Sequence, residues 1–167
     1  MEQSVFEKIE PNSGQESVWD YPRPAIAQEK RGSFQIKVFD QTIIDVDSAV
    51  RVLETSHPPV YYFRIADLKN VQLEESRHTS WCEWKGQASY FHLNVDGHRI
   101  LDAGWFYATP NSNFQSLTHR FAVYPSKMQS CVVNGEAAEP QQGDFYGGWI
   151  TPEIVGPFKG GPGTWGW

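Results

Sequence analysis

The chain has 167 residues, the size of one globular domain, and 14% of it is aromatic, with 10 Phe, 7 Tyr and 7 Trp. Disordered and coiled-coil sequences do not carry that aromatic load. Fourteen Lys and Arg against 20 Asp and Glu leave a net charge of -6, so no basic surplus exists for a nucleic-acid partner. No apolar run approaches the roughly 18 residues of a membrane helix, and Met1-Glu2-Gln3-Ser4 does not open a signal peptide. The reading is of a soluble, cytoplasmic protein that uses no membrane. Cys82 and Cys131 are the two cysteines, which excludes a disulfide framework and a four-cysteine zinc site.

In chain order, residues 1–32 read as an extended N-terminal arm, because Pro11, Asn12, Ser13 and Gly14 break periodicity and Pro22 and Pro24 favour extended backbone around Arg23. A β domain is expected over residues 33–146. Phe34, Ile36 and Val38 alternate with polar residues, a turn is expected near Asp40-Gln41, and Thr42 to Val46 resumes as a β-branched run. Ser48 suits the N-cap of a short helix through Val50, Leu53 and Glu54 that ends before Pro58-Pro59. Val60 to Phe63 reads as a buried strand.

Asp96-Gly97 between two β runs is a preferred hairpin turn. Pairing Val95 with His98 sets Leu93 opposite Ile100, Tyr90 opposite Ala103 and Ala88 opposite Trp105, so Tyr90 and Trp105 share a face. Asn113 to Leu117 suits one helical turn, Phe121 to Tyr124 a strand, and Asn134-Gly135 a second hairpin. Residues 147–167 are too rich in Gly and Pro for regular structure, yet carry three Trp and a Phe. Such a tail is expected to pack on this domain or on a second copy, making a homo-oligomer. About eight strands and one or two short helices give a mainly β, single-domain antiparallel sheet.

The densest chemistry lies in Arg77 to Gly86, with Glu54 to His57 ahead of it. Cys82 suits a nucleophile if His78, His57 or Lys85 lowers its pKa or takes its proton, and Glu54 would polarise an imidazole. A cysteine flanked by Trp81 and Trp84 equally suits a small buried hydrophobe. Lys85 before Gly86, and Arg23, suit contacts to an anionic ligand group. Tyr62, Trp84, Tyr90 and Trp105 suit the walls of a pocket for a flat ring, or plain core. The five His are scattered without a metal-ligating pattern, and no cofactor is called for. Gly32-Ser33 followed by Asp45-Val46-Asp47 matches the spacing of nucleotidyltransferases, whose carboxylates hold two metal ions. There the glycine-serine pair opens a helix, whereas here a hairpin is expected, with Asp45 and Asp47 beside a turn.

The runs Glu54 to Tyr62, His78 to Tyr90 and Phe121 to Pro125, with Glu16 to Pro24 and the ending Gly163 to Trp167, resemble the signatures of a bacterial family catalogued as domain of unknown function 427. The resemblance covers nearly the whole chain. It implies a β-tent-like fold similar to that of methionine sulfoxide reductase B. Many such relatives hold a structural zinc on paired Cys-x-x-Cys motifs that this chain lacks, so hydrophobic packing is expected to hold the sheet. The family has also been labelled nucleotidyltransferase. Three functions follow: a small-molecule-binding β domain with a His/Cys/Lys site in an aromatic pocket, a protein-interaction or assembly module, and a nucleotidyltransferase.

Overall fold

The computed structural model describes residues 7–143 and 145–167; residues 1–6 of the expected arm lie outside them. Thirteen strands follow one another among the described residues: β1 (Glu16–Ser17), β2 (Ile26–Val38), β3 (Gln41–Leu53), β4 (Val60–Arg64), β5 (Gln72–Cys82), β6 (Gly86–Val95), β7 (His98–Phe106), β8 (Arg120–Val123), β9 (Ser130–Val133), β10 (Glu136–Ala137), β11 (Glu139–Pro140), β12 (Trp149–Ile150) and β13 (Ile154–Val155). Nine form one antiparallel sheet in the order β10-β9-β2-β3-β4-β8-β7-β6-β5. The mainly β, antiparallel expectation therefore holds. Helix is confined, among the described residues, to short 3-10 turns, including Ser112–Leu117 where one turn was expected. No helix among the described residues is long and apolar enough to cross a membrane.

Local expectations fail in four places. First, β2 begins at Ile26, so residues 26–32 of the expected arm are sheet, with Ile26 opposite Leu53. Second, no helix starts at Ser48: that residue pairs with Arg31, and β3 runs on to Leu53. The reason is two-sided pairing. β3 sits between β2 and β4, and its β-branched residues gain more from the sheet than Ser48 gains as a cap. Third, the first hairpin turns at Phe39-Asp40, both at positive φ (46° and 61°), one residue earlier than expected. Fourth, β5 (Gln72–Cys82) forms where the sequence reading places no strand.

The Asp96-Gly97 hairpin forms with Val95 opposite His98 and Leu93 opposite Ile100, but the register then shifts and Tyr90 stands opposite Trp105. The extra residues of β7 are absorbed around Asp102, which takes φ 43° and donates its N–H to His92 Nδ1 at 2.9 Å. Bulges re-aim side chains in this way. Here the two large rings become direct cross-strand neighbours.

Alternate residues of the same strands feed two clusters. Phe34, Ile36, Ile44, Phe63, Phe91 and Phe121 form one around Trp149. Val50, Val52, Tyr62, Tyr90, Trp105 and Tyr107 belong to the other. The two terminal segments close a third, small cluster of Val18, Tyr21, Leu53 and Ile154, where β1 pairs in parallel with β13. The tail thus packs on its own chain. Trp19 Nε1 donates to the Pro157 carbonyl at 2.8 Å, and the Trp19 and Trp167 rings meet edge to face at 5.5 Å.

Candidate functional site

The largest change of character in the sequence, from Cys82 to Gly86, is a hairpin tip: Cys82 pairs with Gly86, and Glu83, Trp84 and Lys85 make the three-residue loop. Gly86 takes φ 105°, a conformation glycine adopts without a Cβ clash. Asn111 braces the tip, donating Nδ2 to the Trp84 carbonyl (2.9 Å) and its backbone N–H to the Lys85 carbonyl (3.0 Å). The β3–β4 connection approaches from the other side. The Ser56 N–H donates to the Val18 carbonyl and the Thr55 hydroxyl to the Tyr21 carbonyl, while Lys159 N–H reaches the Ser56 carbonyl. Both termini therefore fasten the loop that carries Glu54 and His57.

Between tip and connection lies a cavity of about 320 Å³. It brings together eight residues selected from the sequence: Glu54, His57, Cys82 and Lys85 on the polar side, Tyr62, Trp84, Tyr90 and Trp105 on the aromatic side. Two selected residues stay outside its lining. Arg23 is exposed and donates to the Thr55 carbonyl at 3.0 Å. His78 is exposed and lies flat on the Tyr90 ring (4.1 Å between centroids, 10° between planes), with Nδ1 3.5 Å from Asp102. On an exposed stretch of β5 its ring stacks on Tyr90 near Asp102, and His78 is not among the residues that line the cavity.

Sequence reasoning missed Tyr124, Gln141, Tyr146 and Gly147 as cavity residues. Gln141 had no signal, because its role is a tertiary one. Its Oε1 accepts from Gly148 N–H (3.2 Å) and its Nε2 donates to the Lys159 carbonyl (2.8 Å), leaving the second amide hydrogen for His57 Nδ1 at 3.2 Å. His57 therefore carries its proton on Nε2 and directs it at Glu54 Oε2, 3.1 Å away. That hydrogen bond, opposed by burial and assisted by the Lys85 and Arg23 charges, holds the Glu54 carboxyl below its usual range. Gly147 had a legible glycine but no legible reason: a Cβ there would strike the Trp105 ring.

The aromatic wall is hydrogen-bonded. Trp105 Nε1 donates to Tyr62 Oη at 3.1 Å, and the Tyr107 hydroxyl is within hydrogen-bonding reach of the same oxygen. Ser80 Oγ and Tyr90 Oη are 2.9 Å apart, with the Tyr124 hydroxyl in reach of Tyr90. Burial pushes the Tyr62, Tyr107 and Tyr124 phenols up, so they stay protonated at neutral pH. Lys85 Nζ lies 5.8 Å from the centre of the Tyr107 ring, with the Cys82 thiol in hydrogen-bonding reach. Burial acts against the Lys85 ammonium, but its electronegative neighbours outweigh that and keep its pKa above the usual lysine value. Cys82 is partly exposed beside this cation, whereas Cys131 is buried and its thiol is pushed up to about 12.

The glycine-serine and aspartate motif lies elsewhere. Gly32 and Ser33 form a bulge in β2, where Ser33 N–H donates to Asn134 Oδ1 at 2.8 Å, and Asp45 and Asp47 are exposed mid-strand on β3, not beside a turn. No group of three or more His, Cys, Asp or Glu is placed to hold a metal ion among the described residues.

No curated protein matches the chain. The model of a family described as a domain of unknown function (DUF427), which bears the name NTP_transf_9, matches residues 26–134. That span starts with β2 and ends at the β9–β10 turn. It contains the hairpin tip, the β3–β4 connection and most of the aromatic wall. With well over half of its length matched, this chain belongs to the DUF427 family.

Proposed function

We propose that the cavity is a binding site for a small organic molecule, with Lys85 as its charged anchor and Tyr62, Trp84, Tyr90 and Trp105 as its walls. One observation carries the reading: residues from six separate stretches, most of them apolar, converge on one concavity that also contains a cation and a hydrogen-bonded Glu54–His57 pair. Ligand sites have that composition. Cys82 beside Lys85 is the group with nucleophilic potential, and His78 acts on the site only by backing the Tyr90 ring. The test is a thermal-shift screen of the intact protein and its Lys85→Ala variant against metabolites, with and without magnesium. A compound near one hundred times its dissociation constant adds about 2.7 kcal/mol. Stabilisation of the parent but not the variant supports the site; equal stabilisation of both places the ligand elsewhere. Magnesium-dependent nucleotide binding lost on Asp45→Asn would support the nucleotidyltransferase reading instead.

Assembly is the second reading, and Trp165 favours it, being 90% exposed at the end of an otherwise packed tail. Light scattering of the parent and Trp165→Ala tests it: a mass that falls on substitution supports assembly, and an unchanged monomer mass removes it.

A further inference from the structure

The hydrogen-bond bookkeeping of the cavity wall leaves donors over. Trp105, Tyr62 and Tyr107 bring three N–H or O–H protons, of which the Trp105 N–H is taken by Tyr62 Oη at 3.1 Å. Even if one of the two phenols donates to the other, at least one O–H is left to donate. Ser80, Tyr90 and Tyr124 bring three more hydroxyl protons, with Ser80 Oγ and Tyr90 Oη 2.9 Å apart, so at least one is again left to donate. The Lys85 ammonium adds further N–H groups at the same wall.

The side-chain carboxylates of the lining are Glu54 and Glu83. Glu54 takes the His57 proton at 3.1 Å, and Glu83 is exposed at the hairpin tip. The second cation of the lining, Lys159, donates to the Trp167 carbonyl oxygen at 3.0 Å. Lys85 thus faces the cavity with no ion-pair partner within 4.0 Å among the described residues, although the Glu54 carboxylate feels its charge, and at least two spare hydroxyl protons lie beside it. A buried donor set of this kind is satisfied by an oxyanion. Its single charge matches a monoanion better than a phosphate dianion. The rest of the wall is aromatic, and about 320 Å³ is at the small end of ligand cavities, room for one or two rings.

We infer that the cavity takes a planar aromatic carboxylate, its ring against Trp105 and Tyr62 and its carboxylate against Lys85 Nζ and the spare hydroxyls of the Tyr107 and Tyr90 groups. The inference rests on the cavity being a ligand site and names the ligand class.

Isothermal titration of the intact protein with indole-3-carboxylate, indole-3-carboxamide, tryptamine and phenyl phosphate tests it. The carboxylate is expected to bind roughly 10- to 100-fold more tightly than the amide, the difference a charged hydrogen bond supplies. Lys85→Met is expected to lower carboxylate affinity to the level of the amide. Tyr107→Phe, which retains the ring, is expected to weaken the carboxylate alone, and it decides the matter if Lys85→Met does not fold. Equal affinity for carboxylate and amide, or a preference for the amine or the phosphate, overturns the ligand class but leaves the cavity as a binding site. No heat with any of the four overturns the binding-site reading along with it.

Discussion

The side of the sheet that carries Phe34, Phe63, Phe91 and Phe121 and the side that carries Tyr62, Tyr90 and Trp105 are built by neighbouring residues of the same strands. On β4, Tyr61 and Phe63 enter the first cluster and Tyr62 the second; on β8, Phe121 and Val123 enter the first and Ala122 the second. The first side is mostly hydrocarbon, closed by Trp149, and its rings meet at 5.1 to 6.5 Å. The Trp149 indole N–H is buried there without a hydrogen-bond partner. The second side buries rings of similar size, but they bear hydroxyls and an indole N–H that must be paired, and beside them the packing opens into the cavity. Similar burial thus closes one face completely and leaves a cavity in the other, where more of the rings end in a polar atom.

Substitutions can break that comparison. The largest effect is expected from Phe63→Ala, which empties a fully buried ring position and should cost about 3–5 kcal/mol in urea unfolding; a cost below 1 kcal/mol would mean that this face is not the main core. Tyr62→Phe removes one oxygen at constant ring area. It leaves the buried Trp105 N–H without its acceptor, so a loss of about 1–3 kcal/mol is expected, whereas a stability equal to the parent would show that the wall does not depend on its hydroxyl network.

A smaller effect separates the terminal clamp from both faces. Glu16 is held below the usual carboxylate range by its hydrogen bond to Arg51 first, against burial and with help from Tyr21. A depressed folded-state pKa contributes stability that is complete above the unfolded value, about 4.3, and is lost as pH falls through the folded value. Stability of Glu16→Gln should therefore fall less steeply than that of the parent as pH is lowered from neutral to about 3; parallel curves would falsify the assignment. The smallest expected effect involves no stability at all. Iodoacetamide near neutral pH should label Cys82 well before Cys131, since the first is partly exposed beside Lys85 and the second is buried. Equal, slow labelling of both would remove Cys82 as a candidate for chemistry.

Much of this was legible from residue order. Alternation in Phe34 to Val38, the Asp96-Gly97 and Asn134-Gly135 turns, and the mass of aromatics define an antiparallel β protein, because period-two burial and two-residue turns are local properties. The cluster from Cys82 to Lys85 also announced itself, since a thiol, a cation and tryptophans at one hairpin tip have few structural reasons to coincide. The helix expected at Ser48 failed because a local cap competes poorly with two flanking strands. The register of Tyr90 could not be read past Leu93, because nothing local announces the bulge at Asp102.

By itself the sequence determined the class of fold, most of the turns, and the residue types available to a site at the hairpin tip and the β3–β4 connection. Only the tertiary structure decided that Glu54 and Lys85 share a cavity, that His78 and Arg23 do not line it, and that Gln141 and Gly147 from the far end of the chain complete it. The physical reason is distance along the chain. Alternation and turns are set by backbone geometry over a few residues, whereas a cavity is bounded by whichever distant segments the whole sheet and its two clamped termini bring together.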